Sequence, residues 1–108
     1  VPDTMTLTVK RLHGGQPVLV EPDQPIMQAA GAAMDQTFDR ETVFVRHGGS
    51  IPIVAEFQQR LGLDSVLMGF GLESVAIHSP NEKIGLDRYA QGIETIIHYY
   101  PELAKRLA

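Results

Sequence analysis

Hydrophobic and polar positions follow two different spacings along this chain. Residues 5–10 alternate, with Met5, Leu7 and Val9 on one side, which is typical of a half-buried strand. Residues 26–38 instead carry apolar side chains at helical spacing after Pro25, a residue that favours the first turn of a helix. Residues 42–45 are β-branched and aromatic and predict a buried strand.

The rest of the chain continues this alternation of predicted elements. Residues 51–61 predict a helix with Ser50 as its N-cap and Gly62 as a left-handed C-terminal cap. Residues 17–20 and 65–68 predict short strands, and residues 69–85 a long ordered loop. We expect Asp87 to cap a final helix that Pro101 interrupts. The apolar stripe of this helix comprises Tyr89, Ile93, Ile96, Ile97 and Tyr100.

This order of elements predicts an α/β fold of three layers rather than a helical bundle. The first predicted strand, residues 5–10, stands apart from the others, before the glycine pair Gly14 and Gly15. A single amphipathic strand needs neighbouring strands for its backbone groups. We therefore expect it to project from the unit or to pair with another chain.

Composition narrows the choice of partners and chemistry. The 108 residues carry 9 Lys and Arg against 13 Asp and Glu, without a basic stripe, which argues against nucleic acid as a partner. No apolar run approaches the roughly 20 residues of a spanning helix, so we expect no membrane partner and a cytoplasmic location. Cysteine is absent, so a metal site would depend on His, Asp and Glu.

His78 is the first candidate for chemistry. It lies in the predicted loop and is followed by Ser79, Pro80, Asn81 and Glu82. Its imidazole has two interpretations, a metal ligand or a hydrogen-bonded structural group. Zinc takes three or four protein ligands, and the sequence contains no paired-ligand spacing such as HExxH.

The second candidate is the turn formed by residues 46–50, which has the sequence Arg-His-Gly-Gly-Ser. Two glycines between a predicted strand and a helix start can present backbone N–H groups to a carboxylate or phosphate. The alternative is a tight turn in which Ser50 only caps the helix.

Three segments, taken in order, resemble successive blocks of the two-zinc metallopeptidases of the aminoacylase, carboxypeptidase and dipeptidase type. The segments are residues 45–52, 67–71 and 78–82, which read VRHGGSIP, LMGFG and HSPNE. The resemblance covers essentially the whole chain and looks nearest to the carnosinase-like dipeptidase branch. It implies a catalytic domain with two zinc ions, a lid domain that forms a homodimer, and a dipeptide or N-acyl amino acid substrate.

The resemblance also implies roles for single residues. His78 matches the last metal ligand, Gly49 and Ser50 match the turn that binds the substrate carboxylate, and Arg46 lies beside that turn. Asn81 and Glu82 would order the ligand loop. Residues 1–15 would be the last strand of the lid domain with its return linker, and residues 16–108 half of the three-layer catalytic domain.

Several parts of that active site have no match in this sequence. The His-x-Asp motif, the Glu-Glu pair that supplies the general base and the remaining acidic ligand are absent. The resemblance therefore implies a fragment that is inactive in isolation. The alternative is a stand-alone, non-catalytic module that binds a carboxylate or phosphate, or that dimerises through residues 5–10.

Overall fold

In a computed structural model, the regular structure among the described residues consists of three α-helices and one short 3-10 turn. The structure describes residues 2–12, 14–47 and 51–108. The elements are α1 (Pro25–Phe38), α2 (Pro52–Leu61), the 3-10 turn Glu73–Val75 and α3 (Leu86–Leu107). In these ranges no helix is both long and apolar enough to cross a membrane.

Local signals predicted the ends of α1 and α2 well. Helix α1 begins at Pro25, as predicted, and Gln24 occupies its N-cap position. Gly62 ends α2 with a φ of 64°, and its N–H donates to the Gln58 carbonyl at 3.1 Å, which confirms the predicted left-handed cap. Helix α2 begins at Pro52 with Ile51 in the N-cap position, and Ser50, the predicted N-cap, lies outside the described residues.

Helix α3 departs from its prediction at both ends. Its N-cap residue is Gly85, so Asp87 lies in the first turn, where a negative charge favours the helix dipole. Pro101 does not interrupt the helix, which continues to Leu107. A proline removes one backbone hydrogen bond of the ladder. Beyond it, Glu102 forms ion pairs with Lys105 and Arg106 that hold the last turn.

The core lies where α1 packs against α3. Helix α1 supplies small residues, which allow close approach: Ala29, Ala30, Gly31 and Ala33 are buried. Residue Thr95 of α3 is 0% exposed, and its Oγ1 lies 3.1 Å from Oγ1 of Thr37 on α1. These two hydroxyl groups join the helices through a buried polar contact.

Two aromatic rings extend this core. The ring of Phe44 covers Gly31, where an added Cβ would lie 3.3 Å from Cζ of the ring. Phe70 stacks on Phe38 with ring centroids 6.4 Å apart and also lies against Gly92 of α3. The loop that follows residue 68 is therefore attached to both helices.

The apolar stripe predicted for α3 does not face this core. Helix α3 packs on α1 with the side that carries Thr95, while the stripe remains exposed, for example by 52% at Ile93 and 64% at Ile97. Small and polar side chains form the close contact between the helices instead. Hydrophobic spacing located the helix but not the face that packs in this chain.

The predicted three-layer α/β fold is wrong for this structure, including the strand assigned to residues 5–10. None of the described residues belongs to a strand, and the segments at 5–10, 17–20, 42–45 and 65–68 form no sheet. The physical reason is that alternation sets side-chain direction, whereas a strand also needs a neighbour for its backbone groups. The chain is also less compact than a typical domain of its length, because its radius of gyration is 18.3 Å, against about 13 Å for a compact 100-residue domain.

Candidate functional site

The segment that contains His78 folds into a closed loop between the 3-10 turn and α3. Its base is a hydrogen bond from the Lys83 N–H to the Val75 carbonyl at 3.0 Å. Within it, the Ser79 N–H donates to Ala76 at 3.0 Å and the Glu82 N–H donates to Ser79 at 3.2 Å. We call residues 76–82 the histidine loop. The predicted long loop at 69–85 is thus ordered, with one 3-10 turn inside it.

Three residues of the histidine loop have left-handed backbone conformations. The φ angles are 54° at Ala76, 57° at His78 and 64° at Asn81. Histidine and asparagine adopt this region more readily than most residues, whereas alanine rarely does. Such conformations carry strain and persist where the surrounding contacts fix them. The loop therefore has a specific shape that its hydrogen bonds must maintain.

His78 is exposed in this loop, and its contact with Glu82 is made through the main chain. The His78 N–H donates to Oε2 of Glu82 at 3.3 Å. No hydrogen bond of the imidazole is seen in the described part of the chain. The structure therefore brings His78, Asn81 and Glu82 together in one turn and leaves the imidazole available to bind another group.

A complete metal site does not form among the residues that the structure describes. They contain no group of three or more His, Asp or Glu side chains that could hold an ion. A catalytic zinc needs about three protein ligands. His78 can supply one nitrogen donor, so these residues do not fit a zinc ion on their own.

The predicted carboxylate-binding turn is described only in part. Gly49 and Ser50 lie outside the described residues. Arg46 is exposed, and no hydrogen bond or ion pair is seen between it and the histidine loop in the described ranges. The two predicted halves of the site, the anion turn and the histidine loop, are thus not joined by a contact of Arg46.

An open concavity of about 390 Å³ lies beside the histidine loop, and the sequence did not predict it. Its lining residues are Gly71, Val75, Ile77, Glu82, Lys83 and Ile84. Most of them are apolar, and Glu82 and Lys83 add opposite charges. The apolar residues Val75 and Ile77 before His78 were the only sequence signal for an apolar surface here. They do not indicate that Lys83 returns to Val75 and closes the loop that borders the concavity.

A smaller concavity of about 200 Å³ is bordered by Phe38, Phe70 and Arg88, a residue that the sequence did not single out. The guanidinium carbon of Arg88 lies 5.6 Å from the Phe38 ring centroid, and Nη1 donates to Oε1 of Gln91 at 3.1 Å. Arg88 therefore has a structural role in joining α1 to α3.

Comparison with known proteins relates the chain to dipeptidases. Cys-Gly metallodipeptidase DUG1 of Candida albicans is 34% identical over 95 residues, which are 85% of this chain and 20% of that protein. Cys-Gly metallodipeptidase dug1 of Schizosaccharomyces pombe is 33% identical over 98 residues, 91% of this chain and 21% of that protein. Human Beta-Ala-His dipeptidase is 29% identical over 99 residues, which are 92% of this chain and 20% of that protein.

The chain spans about a fifth of the length of these curated relatives. No solved structure gives a significant match. The sequence profile described as Peptidase family M20/M25/M40 matches residues 5–101, nearly the whole chain. This chain belongs to the peptidase family M20/M25/M40.

Proposed function

We propose that this chain contributes part of the active site of a metal-dependent dipeptidase. Its substrates would be dipeptides or N-acyl amino acids with a free carboxylate, and the reaction would be hydrolysis of their amide bond. The membership in a peptidase family and the names of the relatives, a Cys-Gly metallodipeptidase and a Beta-Ala-His dipeptidase, support this proposal. The observation that carries it is the exposed His78 on a closed, strained loop.

We assign His78 as a ligand of one of two zinc ions, and Asn81 and Glu82 as the residues that order its loop. Gly49 and Ser50, with Arg46 beside them, would bind the substrate carboxylate. This assignment follows the resemblance of the HSPNE and RHGGS segments to that class of enzymes. The described residues supply one imidazole, so no catalytic step through a metal is assigned to them.

The proposal gives the chain a minority of the active site. Residues 1–15 would belong to a lid domain that forms a homodimer, and residues 16–108 to the catalytic domain. The glycine pair at 14 and 15 supports a boundary at this point. We expect the remaining ligands and the general base to lie in parts of the enzyme that this sequence does not include.

The first test measures zinc stoichiometry and dipeptide hydrolysis on the purified 108-residue chain. We expect fewer than two zinc ions per chain and no turnover, because two zinc ions with a bridging ligand need about five protein ligands. Two tightly bound ions with turnover would refute the proposed partial site. Binding of a small carboxylate without metal would favour the non-catalytic module.

The second test uses a longer enzyme that contains this chain together with the remaining parts of a full-length member of the family. His78→Ala should lower dipeptidase activity by more than about 100-fold, since even residues that only support a metal ligand contribute 10- to 100-fold. His98→Ala is the matched control, because His98 lies on α3, where its Nε2 is 3.7 Å from Oε1 of Glu94. Full activity after His78→Ala would refute the assignment of His78.

A further inference from the structure

Glu82 contacts the main chain of His78, which is not the usual arrangement for a carboxylate beside a metal-binding histidine. In the usual arrangement the carboxylate accepts a hydrogen bond from the imidazole ring. Here Oε2 of Glu82 accepts from the His78 backbone N–H at 3.3 Å. The carboxylate therefore restrains the backbone of the loop and forms no hydrogen bond with the imidazole ring.

The hydrogen bond from His78 to Glu82 is separate from the backbone hydrogen bonds that close the loop. Those bonds are donated by the N–H groups of Ser79, Glu82 and Lys83, and none of them uses the His78 N–H. The His78 backbone is left-handed, with a φ of 57°, and so is that of Asn81, with a φ of 64°. The Glu82 carboxylate thus spans the part of the turn in which both left-handed residues lie.

We propose that Glu82 is a positioning residue that fixes the left-handed conformation of His78 through its backbone N–H. The proposal rests on the proposed function only in treating His78 as the functional group of the loop. Since both His78 and Glu82 are exposed, the bond competes with water and contributes little to global stability. Its effect is to select one conformation of the loop, and with it one position of the imidazole.

The test compares backbone amide hydrogen exchange by NMR in the metal-free 108-residue chain and four variants. Glu82→Ala removes the acceptor. Glu82→Asp keeps the charge but shortens the side chain by one methylene, and Glu82→Gln keeps an acceptor oxygen at the same reach. Glu73→Gln is the matched control, because Glu73 lies in the adjoining 3-10 turn and its side chain forms no hydrogen bond in the described residues.

We expect exchange of the His78 amide to rise about 3- to 10-fold in Glu82→Ala and Glu82→Asp. It should stay within twofold of the parent in Glu82→Gln and Glu73→Gln. The amide of Thr95 in the α1–α3 core should be unchanged throughout. This readout separates loop positioning from a general structural role, which would change exchange at Thr95 as well.

Three results would overturn the proposal: unchanged His78 exchange in Glu82→Ala, equal acceleration in Glu82→Gln, or parallel acceleration at Thr95. The measurement involves neither metal nor substrate. Its failure is therefore distinct from failure of the dipeptidase assignment, which depends on the activity of His78→Ala in the longer enzyme.

Discussion

Replacing Thr95 by Val should lower the free energy of unfolding of the chain by about 1 kcal/mol, because the change removes one buried hydroxyl at nearly constant shape. Thr95 is 0% exposed, and its Oγ1 lies 3.1 Å from Oγ1 of Thr37 and 2.8 Å from the Gln91 carbonyl. Thr37 keeps a second partner, the Ala33 carbonyl at 3.0 Å. No hydroxyl is therefore left unsatisfied, and the cost stays below the larger penalty of a buried orphan group.

A double-mutant cycle isolates the contact between the two helices. Thr37→Val and Thr95→Val should each destabilise the chain, and the double variant should lose about 0.5–1 kcal/mol less than the sum of the two. The coupling arises because either single change already breaks the bond between the hydroxyls. Valine and threonine have similar helix propensities, so the cycle reports the side-chain contact rather than helix formation.

Urea unfolding followed by far-ultraviolet circular dichroism measures these differences as shifts of the midpoint at constant slope. Thr8→Val is the control, because Thr8 is exposed in the segment before residue 12, and its effect should stay within about 0.5 kcal/mol. Zero coupling, or a Thr95→Val variant as stable as the parent, would refute the reasoning that this polar contact joins α1 to α3.

Gly62→Ala should lower the free energy of unfolding by about 1 kcal/mol, since φ is 64° there and an added Cβ meets no atom within 4 Å. Gly69→Ala, also in open space but without a positive φ, is its control in the same urea assay and should be near neutral. Hydrogen bonds from Lys105 and then Arg106 lower the pKa of Glu102 from 4.5 to about 2. Stability from these ion pairs is complete above pH 4.5 and is lost as the pH falls towards 2. Glu102→Gln should remove this part of the acid dependence in a circular dichroism titration, and an unchanged titration would contradict the assignment.

Side-chain spacing and terminal residues were sufficient to predict the local structure of α1 and α2. A helix forms its backbone hydrogen bonds within one segment, so Pro25 at the start and Gly62 at the end carry most of the needed information. The His78 loop was recognised in the same way, from a short contiguous motif. The histidine, Asn81 and Glu82 do lie in one turn.

Features that depend on distant residues were predicted poorly. The segment at residues 5–10 alternates like a strand, yet a strand exists only with a partner, and none of the described segments pairs with it. The apolar stripe of α3 was compatible with core or interface contacts, and the spacing did not indicate that α1 instead covers the face with Thr95. The concavity beside His78 likewise depends on the hydrogen bond from Lys83 to Val75.

The sequence by itself determined the family, the positions of the helices and the loop that carries His78, because each depends on residues that are close together along the chain. Only the tertiary structure decided which face of α3 is covered, that residues 5–10 form no strand, and that Glu82 contacts the backbone of His78 rather than its imidazole. These outcomes depend on pairing and packing between segments. Such contacts are set by geometry in three dimensions, which spacing along one dimension does not specify.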